Sequence, residues 1–164
     1  MAIFLSTCIK VIRAFQLIYS IGGILNTEFS YFSIAVKNLN EATDLYTKML
    51  GLEVMEQPEK STEFGFLASR LGANGTGFLE LLEPINENSA VSRFIETRGE
   101  GVYMISLEVE NLRETVKQVR LSGGRITGIG ETEEPSADTP SVWVHPMSSK
   151  GVFIELRQAG VTSS

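Results

Sequence analysis

The sequence predicts an α+β fold made of two tandem copies of one βαβββ unit, and three observations carry that prediction. Ile34-Ala35-Val36-Lys37-Asn38-Leu39-Asn40-Glu41 reads like Leu107-Glu108-Val109-Glu110-Asn111-Leu112-Arg113-Glu114 about 73 positions later, an internal repeat. Phe78-Leu79-Glu80-Leu81 and Phe153-Ile154-Glu155-Leu156, about 75 positions apart, each set one carboxylate among large apolar residues. In both copies, period-two alternation gives way to helical spacing and then returns to short β-type runs. Glu80 and Glu155 are therefore equivalent positions, related by pseudo-two-fold symmetry.

Residues 1–27 hold no acid, carry Lys10 and Arg13, and include an apolar run from Ala14 to Leu25. At about 12 residues that run is too short to span a bilayer. A targeting segment, an upstream extension and an added element covering apolar surface are the three readings of it. The first module covers residues 28–84. Phe29 to Val36 alternates as a strand, with Phe32, Ile34 and Val36 on one face. Asn38 caps a helix, Glu41 follows three residues on, and Leu39, Ala42, Leu45, Tyr46 and Met49 make its apolar stripe. Gly51 stops it. Strands follow over Leu52–Met55, Phe64–Leu71 and Gly77–Leu82.

Residues 85–100 are a polar connector leading into a short amphipathic helix, with Val91, Phe94 and Ile95 facing one way. The second module, 101–158, repeats the first. It has a strand over Val102–Val109, an Asn111-capped helix with Leu112, Val116, Val119 and Leu121, and a Gly123-Gly124 stop. Strands come near Ile126–Ile129, Val142–His145 and Val152–Leu156. The acidic, proline-containing stretch Glu131–Pro140 reads as a mobile loop, and 159–164 as a tail.

With 164 residues, 43% hydrophobic and 21% charged, the chain has the composition of a globular protein, and two half-size modules sharing one core suit its length. A net charge of −6 argues against nucleic acid, whose phosphates it would repel, and gives no basic patch for an anionic membrane. A small molecule is the partner such a chain accommodates. The single cysteine, Cys8, leaves no internal disulfide framework.

Parity decides which side chains share a face. If the apolar sets Phe32/Ile34/Val36 and Ile105/Leu107/Val109 face the helices, Tyr31/Ser33/Ala35 and Met104/Ser106/Glu108 lie on the opposite, concave face. Leu79/Leu81 and Ile154/Leu156 likewise turn Glu80 and Glu155 to the concave side. Apolar walls raise a carboxyl pKa, and two nearby carboxylates push each other's values apart, so the pair suits proton transfer. Paired carboxylates are also half of a metal site. A lone strand glutamate is ordinarily solvated; the repeat and the shared parity are what argue for an inward pair. Tyr31 and Met104 read as pocket lining. His145, the only histidine, shares a face with Trp143 and reads as structural or substrate-contacting.

These residues are also where a family resemblance enters. The pieces are Ser33 to Leu39 with Glu41-Ala42, Leu50-Gly51-Leu52-Glu53-Val54, Glu80-Leu81-Leu82-Glu83-Pro84, Phe94 to Gly101, and His145-Pro146 with Gly151 to Leu156. Over residues 29–158 the chain resembles the vicinal oxygen chelate superfamily (glyoxalase, bleomycin-resistance and extradiol dioxygenase relatives), and within it the methylmalonyl-CoA epimerase family. The resemblance implies paired βαβββ modules forming a cup-shaped, half-barrel mixed sheet. It also implies a divalent ion held by one residue from each of four strands, at positions that here are Tyr31, Glu80, Met104 and Glu155. The family has histidines where this chain has Tyr31 and Met104. The strand that carries a further base in some epimerases reads Phe64-Gly65-Phe66-Leu67, with Glu63 just before it.

The resulting expectation is an epimerase-like enzyme with a degenerate metal site, catalysing proton transfer next to a carbonyl: epimerisation, isomerisation, or a cyclisation or elimination built on the same step. Glu80, Glu155 and Tyr31 are its catalytic candidates; Ser33, Met104, Ser106, Trp143 and His145 are its substrate-binding candidates. No cofactor is expected, a divalent metal being the open alternative. A homodimer in the cytoplasm is expected, or in an organelle if residues 1–27 are a targeting segment. The competing reading is a non-catalytic protein that sequesters a small molecule in the cup.

Overall fold

The computed structural model describes residues 26–161; the readings placed on the first 25 residues and on the last three lie outside them. The elements run β1 (Thr27–Ala35), α1 (Leu39–Leu50), β2 (Glu53–Ser61), β3 (Phe66–Ala73), β4 (Thr76–Pro84), α2 (Ala90–Arg98), β5 (Gly101–Val109), α3 (Leu112–Leu121), β6 (Ile126–Thr127), β7 (Ser141–Val144) and β8 (Phe153–Gln158). A one-turn 3-10 helix, Pro146–Ser148, precedes β8.

Eight strands make one open mixed sheet in the order β2-β3-β4-β1-β5-β8-β7-β6. Each half repeats the other. In each, the first strand pairs in parallel with the last, Ser33 opposite Glu80 in β1–β4 and Ser106 opposite Glu155 in β5–β8. The halves join through the antiparallel pair β1–β5, where Tyr31 faces Ser106 and Ser33 faces Met104. The pseudo-two-fold relation therefore runs through this central pair, with the two glutamate strands flanking it.

Local sequence explains the helix ends. The Asn38 side chain accepts from the Glu41 N–H and that of Asn111 from the Glu114 N–H, each 3.1 Å away, so both repeats begin their helix with the same cap. Gly51 ends α1 in the left-handed region at φ 66°, its N–H donating to the Thr47 carbonyl, as a glycine does without a Cβ penalty. Two residues of the α1 stripe, Leu45 and Met49, stay more than half exposed, because the helix rests on the sheet along Leu39, Ala42 and Tyr46 only.

The apolar faces pack as parity requires. Val36, Leu39, Leu71, Leu79 and Leu81 form the core beneath α1, and Val109, Leu112, Val116, Ile126, Val142, Val144 and Leu156 the core beneath α3. Leu81 is wholly buried, and replacing such a residue by alanine costs about 2–5 kcal/mol. A third cluster lies on the other face: Ala35, Leu82 and Val91, with Phe66, Ala68, Phe94 and Tyr103 against them. The connecting helix α2 thus plugs one end of the concave side and leaves the glutamates' part of it open.

β3 starts at Phe66 instead of Phe64, β6 ends at Thr127 and β7 at Val144, and two stretches differ further from the sequence reading. β2 runs through Pro58 to Ser61 instead of stopping at Met55. It is an edge strand, where proline's missing N–H leaves no ladder bond unmade, and its pairing shifts register between Glu56 and Glu59. The 131–140 stretch is irregular but tied down: Arg120 donates to the carbonyls of Glu133 and Gly130 at 2.7 and 2.9 Å, and Arg113 donates to that of Pro135.

Candidate active site

The concave face gathers a carboxylate from each half. Glu80 comes from β4, with Ser33 beside it on β1, and the Ser33 hydroxyl donates to Glu80 Oε2 at 2.5 Å. Glu155 comes from β8, with Ser106 beside it on β5, and the Ser106 hydroxyl donates to Glu155 Oε2 at 2.7 Å. The repeat is therefore chemical as well as topological, since each glutamate is served by the serine of its own parallel partner strand. Both serines have no exposed surface.

The symmetry breaks at the next contact. Tyr31 Oη donates to the same Glu155 oxygen at 2.7 Å, reaching from the first module into the second. Glu80 instead meets a cation: Arg70 Nη2 lies 3.2 Å from Glu80 Oε1, and Arg70 Nη1 lies 3.2 Å from Glu56 Oε1. The Arg70 guanidinium also stacks over the Tyr31 ring, 4.1 Å from its centroid. One phenol thus touches both halves, its hydroxyl on Glu155 and its π face on the partner of Glu80.

Burial and charge set the protonation chemistry. Burial pushes the Glu80 pKa above the ordinary glutamate range, with the Glu155 charge adding to it, although the Ser33 hydrogen bond and the Arg70 charge pull the other way. Tyr31 is pushed up from the ordinary phenol value, first by burial and then by the charges of Glu80 and Glu155. It is a neutral hydrogen-bond donor throughout the physiological range. Two carboxylates in one hollow, one leaning on a guanidinium and one on two hydroxyls, are chemically distinct.

A cavity of about 660 Å³ opens beside them, lined by Arg70, Glu80, Arg157, Phe66, Ala68 and Glu63 among others. Of the two carboxylates only Glu80 lines it; Tyr31, Ser33, Met104, Ser106 and Glu155 lie behind its wall, each no more than 8% exposed. Trp143 faces Glu155 across the β7–β8 pair, and its ring contacts Phe64 edge to face with centroids 5.8 Å apart, an aromatic bridge between the halves. Gly128 seats that ring: a Cβ there would lie 2.6 Å from it. His145 lies just past the end of β7, where its Nδ1 accepts from the Met147 N–H and caps the 3-10 turn.

The four positions that the resemblance assigns to a divalent ion do not make a good donor set. Tyr31 offers a protonated phenol and Met104 a thioether, both poor ligands for hard ions, and Glu80 already faces a guanidinium. Among the described residues no group of three or more His, Cys, Asp or Glu side chains is arranged to hold a metal.

Sequence reasoning missed Arg70. The signal was available: it stands in the apolar run Phe66-Leu67-Ala68-Ser69-Arg70-Leu71, as unexpected in a buried strand as the two glutamates. Arg157 lines the cavity, its guanidinium 5.7 Å from the Tyr31 ring centroid. Phe64 gave no signal, because its partner Trp143 is 79 positions away in the other module.

Comparison with known proteins agrees with this architecture. The profile of the Glyoxalase/Bleomycin resistance protein/Dioxygenase superfamily matches residues 32–143. The chain is 33% identical to the mitochondrial methylmalonyl-CoA epimerase of Dictyostelium discoideum, over 84% of this chain and 82% of that one. It is 29% identical to the ethylmalonyl-CoA/methylmalonyl-CoA epimerase of Cereibacter sphaeroides, over 79% of this chain and 96% of that one. The crystal structure of methylmalonyl-CoA epimerase from Mycobacterium tuberculosis superposes with a TM-score of 0.67 at 26% identity, covering 82% of this chain and 89% of that one.

Proposed function

Because the chain belongs to the Glyoxalase/Bleomycin resistance protein/Dioxygenase superfamily, we propose that it is an epimerase-like enzyme moving a proton at a carbon next to a carbonyl. The observation that carries this reading is the inward pair Glu80 and Glu155, set on opposite sides of the central β1–β5 pair in unlike surroundings.

Epimerisation requires a proton to leave one face of a carbon and another to arrive on the opposite face, so it requires two groups flanking the substrate. The repeat supplies them. A carboxylate takes the α-proton, the C–H electron pair moves into the carbonyl, and the resulting enolate accepts a proton from the other carboxyl. Glu80, its pKa raised by burial, holds a proton to higher pH than an ordinary glutamate, which suits it to give one up to the enolate. Tyr31 holds Glu155 in place. Once Glu155 is protonated and a weaker acceptor, the phenol can turn to the oxygen on which charge develops. Ser33 and Ser106 orient the two carboxylates, and Met104 and Trp143, which pair across strands with Ser33 and Glu155, are the substrate-contacting candidates, whereas His145 caps the turn after β7.

The substrate is a small molecule with an acidic C–H beside a carbonyl. The named relatives make methylmalonyl-CoA the first compound to try, and the altered positions Tyr31 and Met104 support a different acyl compound and chemistry without a metal ion. The proposal includes a homodimer, cytoplasmic or organellar; among the described residues no helix is long and apolar enough to cross a membrane.

The test is deuterium incorporation from D₂O, followed by NMR, over a panel of 2-substituted malonyl and acyl thioesters and their free acids. Exchange by the wild type, with Glu80→Gln and Glu155→Gln each losing it for one epimer and both losing interconversion, supports the enzyme. Tight binding of a panel member with no exchange, unchanged by both substitutions, would establish the sequestering protein instead.

A further inference from the structure

We infer that Arg70 is a cation built into the cup, which neutralises Glu80, faces the substrate oxygen that becomes negative, and takes the ground a divalent ion would need. The catalytic half of this inference rests on the proton-transfer reading above; the electrostatic half does not.

The position is unusual for an arginine. Arg70 stands directly opposite Glu80 in the β3–β4 pair and shares its strand face with Phe66 and Ala68, so it projects into the concave side and lines the cavity. Its side chain is only 19% exposed. Three contacts hold the guanidinium plane: Glu80, Glu56 and the ring of Tyr31. A planar, permanently charged group can satisfy all three at once, whereas an ammonium would have to choose.

One atom is left over. Arg70 Nε is buried and has no hydrogen-bond partner. A buried donor without an acceptor is costly, and such groups in folded proteins call for an explanation. With a donor left unmatched inside the fold and the side chain lining the cavity, the cation is not fully spent on Glu80 and Glu56 and remains available to an oxygen in the cup. When a base removes the α-proton and the electron pair moves into the carbonyl, the enolate oxygen gains charge beside a fixed cation, with no solvent to reorganise. No oxidant or further reactant is needed.

The same geometry excludes a divalent ion. An ion bound to Glu80 would share the carboxylate with a guanidinium nitrogen 3.2 Å from Oε1, in a site of low dielectric where like charges repel strongly. Glu80 can serve the arginine or the ion. The protein has resolved that choice with a side chain.

The test uses Co²⁺ alone, titrated calorimetrically into the wild type, Arg70→Met and Arg70→Lys, so it needs no substrate. Far-ultraviolet circular dichroism first checks that each variant is folded. The neutral variant should bind Co²⁺ at least tenfold more tightly than the wild type, through the freed glutamates, and Arg70→Lys should exclude it as the wild type does. Equal affinity for all three within twofold, or a lysine variant that behaves like the methionine variant, overturns the inference. Should Arg70→Met fail to fold, Arg70→Gln, neutral and planar, replaces it under the same criteria. On any panel compound that exchanges, Arg70→Gln should lower kcat more than tenfold with KM changed less than threefold. If exchange is absent but the Co²⁺ pattern holds, only the catalytic reading falls. If exchange persists and the Co²⁺ pattern fails, only the built-in cation falls.

Discussion

Tyr31 and Glu155 are 124 positions apart, yet the phenol of one donates to the carboxylate of the other at 2.7 Å. Tyr31 belongs to the first strand of the first module and Glu155 to the last strand of the second. Its hydroxyl and ring together make one unit of Glu155, Tyr31, Arg70 and Glu80. Replacing Tyr31 by phenylalanine removes a hydrogen bond to a buried carboxylate and should cost about 1.5–3 kcal/mol of stability in urea denaturation. Proton exchange should fall in Tyr31→Phe while substrate binding is kept.

Glu80 predicts a pH dependence with a definite sign. Its folded-state pKa is raised, so in the folded protein it holds its proton to higher pH than in the unfolded chain. Its contribution to stability is complete below the ordinary glutamate value of 4.5 and is lost as pH rises through the folded-state value. The stability difference between Glu80→Gln and wild type should therefore grow in favour of the variant as pH rises from about 4.5. Urea midpoints between pH 4 and pH 8 measure it; a flat difference would show that Glu80 is not perturbed.

The Arg70–Glu80 pair predicts non-additivity. Arg70→Met leaves a mostly buried carboxylate without its cation and should destabilise the protein by about 1–3 kcal/mol, less than a fully buried pair because Glu80 can protonate instead. Adding Glu80→Gln should recover at least half of that loss. A double-mutant cycle in urea reads the coupling, and simple additivity would mean that the contact carries no energy.

Trp143, the sole tryptophan, is a natural reporter. Its ring lies between the Phe64 edge and the strand face that carries Glu155. Its fluorescence should change when a ligand enters the cup. Phe64→Ala should raise KM severalfold with little loss of stability, because Phe64 is 47% exposed and contributes to the rim more than to the core.

The repeat made most of this architecture legible. Two Asn-capped helices, each following a strand of period-two pattern, fix the order of elements, and parity then puts Glu80 and Glu155 on one face without any knowledge of the sheet. What parity cannot give is which neighbour a side chain finds across strands. Ser33 and Ser106 were placed on the right face, but their pairing with the glutamates depends on the parallel register of β1–β4 and β5–β8. Tyr31 reaching Glu155 depends on the seam between modules, which no local pattern encodes. Arg70 stands in an apolar run as the glutamates do, but it has no counterpart in the second module, and its pairing with Glu80 shows only in the β3–β4 register. His145 shared alternation with Trp143, yet β7 ends at Val144 and the ring turns to cap the following 3-10 turn.

The measurement that tests the glutamate pair most directly is stereochemically resolved exchange. The two epimers of an accepted substrate are incubated separately in D₂O with wild type, Glu80→Gln and Glu155→Gln, and deuterium incorporation is followed at early times. The account predicts that each variant loses exchange by about 10²–10⁴-fold with one epimer and loses interconversion with both, because each carboxylate serves one face of the carbon. Exchange and interconversion within twofold of wild type in either variant would contradict it.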